Sequence, residues 1–222
     1  MGQTVSLTAK DGHKLDAYVA TPAGKPKGGL VVIQEIFGAN HHIRNVADRF
    51  AAMGYAAVAP ALFDRVQKGV DLGYDPDSIA KGRALREKVP MDGSLADLQA
   101  AIDYAKQYGK VGVVGYCWGG SLAFLTATRL NGATAAVGYY GGMVAAHASE
   151  KPKIPIILHF GNKDQSIPMS DVEKVKQARP EIPVYVYSAG HGFSCDERGS
   201  FDKTAHELAL QRTTTFLKQH IG

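Results

Sequence analysis

Cysteine is scarce in this chain of 222 residues: only Cys117 and Cys195 occur. Two cysteines do not make a disulfide framework in a chain this long, so a reducing, cytoplasmic setting is expected. Long apolar runs are also missing, none approaching the roughly 18 residues of a membrane span, and no basic segment followed by an apolar stretch opens the chain. Neither export nor membrane insertion is expected. Charge of one sign is not concentrated anywhere: 25 Lys and Arg are scattered among 21 Asp and Glu, for a formal charge of +4. Without a basic block or an interleaved aromatic stripe, nucleic acid is not an expected partner. Low-complexity linkers and internal repeats are absent too, so residues 1–222 are expected to form one domain.

The sequence does contain a regular alternation of patterns. Residues around Val5 and Leu7, then Asp11-Gly12, then residues 15–19 read as an antiparallel hairpin with a strong turn signal. After the Gly/Pro/Lys-rich residues 22–29 come apolar runs at 30–33, 56–59, 111–114, 135–139, 156–160 and 184–187. Runs apolar on both faces predict a mainly parallel sheet covered by helices. Helical periodicity falls between them, at 43–53, 79–87, 95–108, 121–130, 172–178 and 201–220. The expected fold is therefore α/β, a mainly parallel central sheet with an antiparallel N-terminal hairpin and helices on both faces. The non-periodic residues 60–76 are long for a connection and are expected to form a rim or lid.

The run Val111-Gly112-Val113-Val114-Gly115-Tyr116-Cys117-Trp118-Gly119-Gly120 is an apolar strand ending in a Gly-x-Cys-x-Gly turn. It reads as a nucleophile elbow, a serine-hydrolase turn built around a thiol in place of the usual hydroxyl. Glycines suit it because strand and helix meet closely where the nucleophile sits at strained backbone angles. At the start of the next helix, partial positive charge favours a thiolate. The alternative is an inert cysteine buried at a tight turn.

A hydrolase of this fold places its acid and then its histidine after the nucleophile. Asp164 follows the run 156–160 and His191 follows the run 184–187, so both fall at strand C-terminal ends. Either alone reads as a loop residue; together they complete a triad with Cys117. His159 lies inside an apolar strand and reads as core. His41 and His42 are adjacent, which is poor metal-ligand spacing, and no metal is expected. Glu35 ends the first buried run, where the following loop supplies an oxyanion-hole donor. The backbone N–H groups of Ile36 and Trp118 are the expected donors. Glu35 itself reads either as a group acting on the thiol or as a loop acid in a salt bridge.

Four segments, Gln34-Glu35-Ile36-Phe37-Gly38, Gly115-Tyr116-Cys117-Trp118-Gly119-Gly120, Ala136-Val137-Gly138-Tyr139-Tyr140-Gly141 and Ala189-Gly190-His191-Gly192-Phe193, together resemble the dienelactone hydrolase family, the carboxymethylenebutenolidases of the α/β-hydrolase fold. The resemblance implies opening of an enol-lactone ring by Cys117, His191 and Asp164 through a thioester, with no cofactor or metal. It implies that Glu35 holds the resting thiol and takes its proton as substrate binds. It further implies two arginines that hold a substrate carboxylate. The first falls among Lys81, Arg83 and Arg86; the second position carries Cys195, with Arg198 three residues on. Tyr139 and Tyr140 are candidates for the pocket or for strand core, and Cys195 for a pocket thiol or a small loop residue. The expected partner is a small ester or lactone, bound by a monomer, with a dimer as the alternative. A general carboxylesterase or thioesterase of the same fold, and a non-catalytic ligand-binding relative, are the competing readings.

Overall fold

A computed structural model describes residues 2–222. Eight strands form one sheet in the order β1-β2-β4-β3-β5-β6-β7-β8. The hairpin β1 (Gln3–Thr8) and β2 (Lys14–Ala20) is antiparallel, and β2 also runs antiparallel to β4 (Ala56–Pro60). From β4 onward every pairing is parallel, through β3 (Gly29–Ile33), β5 (Val111–Tyr116), β6 (Ala133–Tyr139), β7 (Ile156–Gly161) and β8 (Val184–Tyr187). Strands β3, β4, β5 and β7 are buried at every position, as continuous apolar runs require when helices cover both faces.

The helices α1 (His41–Ala52) and α6 (Lys203–Ile221) lie on one face, where Leu217 and Ile221 reach Gly112 of β5. Helices α3 (Met91–Ala105) and α4 (Trp118–Arg129) cover the other, with Ala105 against Gly29 of β3. Two more, α2 (Pro76–Lys88) and α5 (Met169–Ala178), complete the set. Local chemistry sets the starts: Asn40 accepts from the Ile43 N–H, Asp75 from Ser78, and Asp202 from Ala205. Pro76 adds a preset φ at the first position of α2. All six expected helices form. Among the described residues, no helix is long and apolar enough to cross a membrane.

Residues 60–76 are anchored rather than arched over the site. A 3₁₀ turn at Leu62–Arg65 is held by the Gln34 side chain, which accepts from the Leu62 N–H, and by Arg65, which forks onto the buried Asp97. Further on, the Leu72 N–H donates to Phe37 and Asn40 donates back to Leu72. No residue of 60–75 lines the cavity that holds Cys117, so the segment does not form a lid, though Tyr74 reaches Glu35 behind the wall; the lining on this side comes from α2.

Candidate active site

The carboxyl ends of parallel strands all emerge at one edge of the sheet, and the loops that leave them carry the candidate residues. Cys117 directly follows β5 and caps α4, which begins at Trp118, three residues earlier than its periodicity suggests. Its backbone has φ 56° and ψ −115°, a strained combination for a residue with a side chain. The turn is possible because Gly115 and Gly119 are bare. A Cβ on Gly115 would lie 1.9 Å from the Gly119 carbonyl oxygen, and one on Gly119 2.4 Å from that of Ile33.

His191 Nε2 lies 3.1 Å from Cys117 Sγ, and its Nδ1 lies 2.7 Å from Asp164 Oδ2. The other carboxylate oxygen of Asp164 accepts the backbone N–H groups of Ser166 and Ile167, which fixes its orientation. Burial disfavours the imidazolium of His191, but hydrogen bonds to Asp164 and Cys117 outweigh it and lift its pKa to about 10. These contacts favour the imidazolium form of His191, with Nε2 directed at sulfur. The Ile36 and Trp118 N–H groups have no acceptor among the described residues, and both residues line the same cavity as Cys117 and His191. At Trp118 this follows from its place at the first position of a helix. The cavity holds about 380 Å³. A larger groove of about 610 Å³ beside α6 is lined by neither cysteine nor histidine and lies away from this chemistry.

Glu35 is 1% exposed and does not hold the thiol. Arg198 Nη1 lies 3.2 Å from its Oε1, and the Tyr74 hydroxyl donates to Oε2 at 3.3 Å. Sulfur is left to His191, so the resting contact implied by the resemblance is replaced by an ion pair. Arg198 thus reaches the cavity from three residues beyond Cys195, and its guanidinium lies over the rings of Phe37 and Tyr74. Cys195 is fully buried, and burial together with the charge of Glu35 pushes its thiol up to about 12. It is not a cavity residue.

Of the three basic candidates on α2, Arg83 and Arg86 line the cavity and Lys81 does not, because it projects from the exposed side of the helix. Neither arginine has a carboxylate partner among the described residues; Arg86 Nη2 rests 2.8 Å from the Met143 sulfur. Tyr139 is corrected to core: it is 1% exposed and its hydroxyl pairs with Thr213, because β6 is covered on both faces. Tyr140 is likewise buried and packs its ring 5.1 Å from that of His191. His159 is core, bonded to Tyr187 and Thr213, and burial lowers its pKa to about 3.

Tyr74 and His42 were not legible as site neighbours. Tyr74 sits in the non-periodic segment, where nothing marks its direction. His42, set aside on spacing to His41, is fully buried beside Glu35 and Cys195. The loop that carries Arg198 is tied to α1 by His41–Glu197 at 2.7 Å and by Arg49–Asp196.

Comparison with known proteins agrees with this architecture. The Dienelactone hydrolase family signature matches residues 15–221. A carboxymethylenebutenolidase of Pseudomonas putida is 35% identical over 224 residues, covering 96% of this chain and 94% of its own. A solved structure from Klebsiella pneumoniae subsp. pneumoniae MGH 78578, provisionally named a dienelactone hydrolase, superposes with a TM-score of 0.85 at 30% identity, over 98% of this chain and 99% of that one. A dienelactone hydrolase-like promiscuous phosphotriesterase from metagenomic libraries shares the fold at 21% identity, with a TM-score of 0.80 over 100% of this chain and 99% of its own.

Proposed function

The chain belongs to the dienelactone hydrolase family, hydrolases that act on esters, and on that premise we propose that it opens a carboxylated enol-lactone, or cleaves a small activated ester, through a thioester on Cys117. The observation that carries this reading is the relay Cys117–His191–Asp164 on the cavity wall beside two N–H groups without acceptors.

Sulfur at the start of α4, facing an imidazolium N–H, attacks the lactone carbonyl carbon. The carbonyl oxygen becomes an oxyanion and takes the N–H groups of Ile36 and Trp118. Collapse breaks the ring C–O bond; the enolate oxygen leaves and takes the proton from His191 Nε2. Neutral His191, still oriented by Asp164, then removes a proton from water, whose oxygen attacks the thioester carbonyl. Collapse of the second tetrahedral species expels the thiolate and releases the carboxylic acid, which loses its proton to solvent, while His191 keeps the proton taken from water. An enolate leaves readily, which suits a thiolate nucleophile that handles amine leaving groups poorly.

Arg83 and Arg86, unpaired on the cavity wall, favour a substrate that carries a carboxylate. Arg198 supplies a third cation, already engaged by Glu35. A substrate carboxylate that takes Arg198 releases Glu35 from its ion pair, and that release is the gate assigned here to the acid. The test is a panel of carboxylated and neutral enol-lactones and p-nitrophenyl esters with wild type and Cys117→Ala, joined to acid-quench mass spectrometry. A mass increment on the peptide containing Cys117, and loss of turnover in the variant, are expected. Turnover retained in Cys117→Ala defeats the reading. Faster turnover of neutral esters than of carboxylated lactones moves it to a general carboxylesterase.

A further inference from the structure

Three residues that the hydrolytic cycle leaves idle or shares come together behind the cavity. Glu35 follows β3, His42 lies in the first turn of α1, and Cys195 sits in the loop after His191. All three are at most 1% exposed. One ligand atom from each, the Cys195 sulfur, a ring nitrogen of His42 and a carboxylate oxygen of Glu35, lie within 4.8 Å of one another.

His42 is the independent sign that something is to be bound. Neither of its ring nitrogens has a hydrogen-bond partner among the described residues, although the ring is fully buried. Native proteins rarely leave buried polar atoms in that state. Nδ1 does lie 3.2 Å from Asp196 Oδ1, but outside hydrogen-bond geometry. Nδ1 faces that carboxylate, so Nε2 is the nitrogen proposed as the ligand.

We propose that Glu35, His42 and Cys195 form a binding site for a thiophilic divalent cation, with Zn²⁺ the best fit. One thiolate, one imidazole and one carboxylate match zinc chemistry, and three protein ligands leave a fourth position open. Metal–ligand bonds of about 2.0–2.3 Å place neighbouring ligand atoms of a tetrahedral site roughly 3.3–3.7 Å apart. From separations of up to 4.8 Å the cluster reaches that spacing by contracting at most about 1.1–1.5 Å, a shift made by side-chain rotation. Binding displaces the Cys195 proton to solvent and forms the Zn–S bond; no electron is transferred. Binding also draws Glu35 away from Arg198. The site would therefore inhibit hydrolysis, and that consequence alone rests on the proposed role of Glu35.

The experiment uses the full chain, freed of metal with a chelator, and Co²⁺ as a spectroscopic probe followed by competition with Zn²⁺. One equivalent of Co²⁺ is expected to produce a thiolate-to-metal charge-transfer band that Zn²⁺ abolishes. Cys195→Ala and His42→Gln are each expected to weaken binding at least a hundredfold, whereas Cys117→Ala keeps the band. Zn²⁺ is also expected to raise the melting temperature of wild type and Cys117→Ala but not of Cys195→Ala, which separates lost binding from a damaged fold. A band that survives Cys195→Ala, a band lost in Cys117→Ala, or no binding by wild type overturns the proposal. None of these readouts needs turnover, so they are independent of whether the chain opens lactones.

Discussion

Replacing Arg198 by Met tests the most unusual feature of the cavity, an ion pair whose acid is almost fully buried. Methionine keeps an apolar stem but deletes the charged guanidinium that lies over Phe37 and Tyr74. At 3.2 Å and an effective dielectric near 20, the two charges attract by about 5 kcal/mol before desolvation. Breaking a buried pair by removing one partner costs about 3–5 kcal/mol, because the remaining charge keeps its desolvation penalty. Two features reduce that here: Arg198 is 18% exposed, and the Tyr74 hydroxyl still donates to Glu35. The expected loss is about 2–3 kcal/mol, or roughly 5–10 °C in melting temperature for a chain of this size. Glu35→Gln removes the stranded charge, so the double variant Arg198→Met/Glu35→Gln is expected to recover most of the loss. Thermal unfolding followed by circular dichroism, run as a double-mutant cycle at neutral pH, gives the coupling directly. A coupling below about 0.5 kcal/mol would refute the argument, since two independent sites behave that way.

Three further outcomes follow from the geometry. With a folded pKa of about 10 against an ordinary value of 6.5, protonated His191 stabilises the fold fully below pH 6.5, and that contribution is lost as pH rises through 10. The melting temperature and kcat/KM are both expected to fall on that alkaline limb. Asp164→Asn is expected to move the limb to lower pH, and a His191 ring resonance titrating below pH 7 in wild type contradicts the assignment. At position 117, Gly is expected to be about 1 kcal/mol more stable than Ala, because only Gly accepts φ 56° and ψ −115° without strain, though neither variant turns over. Equal melting temperatures for the two would show that the backbone there is unstrained. Arg83→Ala and Arg86→Ala are each expected to raise KM for a carboxylated lactone about tenfold, the loss of one charged hydrogen bond, while Lys81→Ala and all neutral esters stay unchanged. An equal rise for neutral esters would mean that the arginines shape the cavity rather than bind charge.

The frame and the elbow could be read from the chain because their signals are local. Continuous apolar runs separated by amphipathic stretches specify a covered parallel sheet, and the spacing of Gly115, Cys117 and Gly119 marks one turn. Asp164 and His191 were legible for a topological reason, since residues just past parallel strands must emerge at one edge. What failed to show depended on direction rather than position. Helix α2 buries only Gly82 and Leu85, so its charged residues surround it and nothing in the pattern separates Lys81 from Arg83 and Arg86. Strand β6 is covered on both faces, so Tyr139 carried no sign of which way it points. The pairing of Glu35 with Arg198 spans 163 residues of sequence, and a loop with no periodicity decides it.

The tie between α1 and the loop carrying Arg198 has a consequence for how such a hydrolase changes its diet. Cys117 stands at a strand end locked by the contacts of Gly115 and Gly119, where an added side chain would collide with backbone. Arg198, the cation proposed to meet the substrate, hangs instead from a loop stapled to a surface helix by His41, Arg49, Asp196 and Glu197. Substitutions on that outer staple shift Arg198 without touching the elbow. On the proposed reading, substrate preference and bond cleavage fall on separately mutable parts of the chain, so one can drift across generations while the other is held fixed.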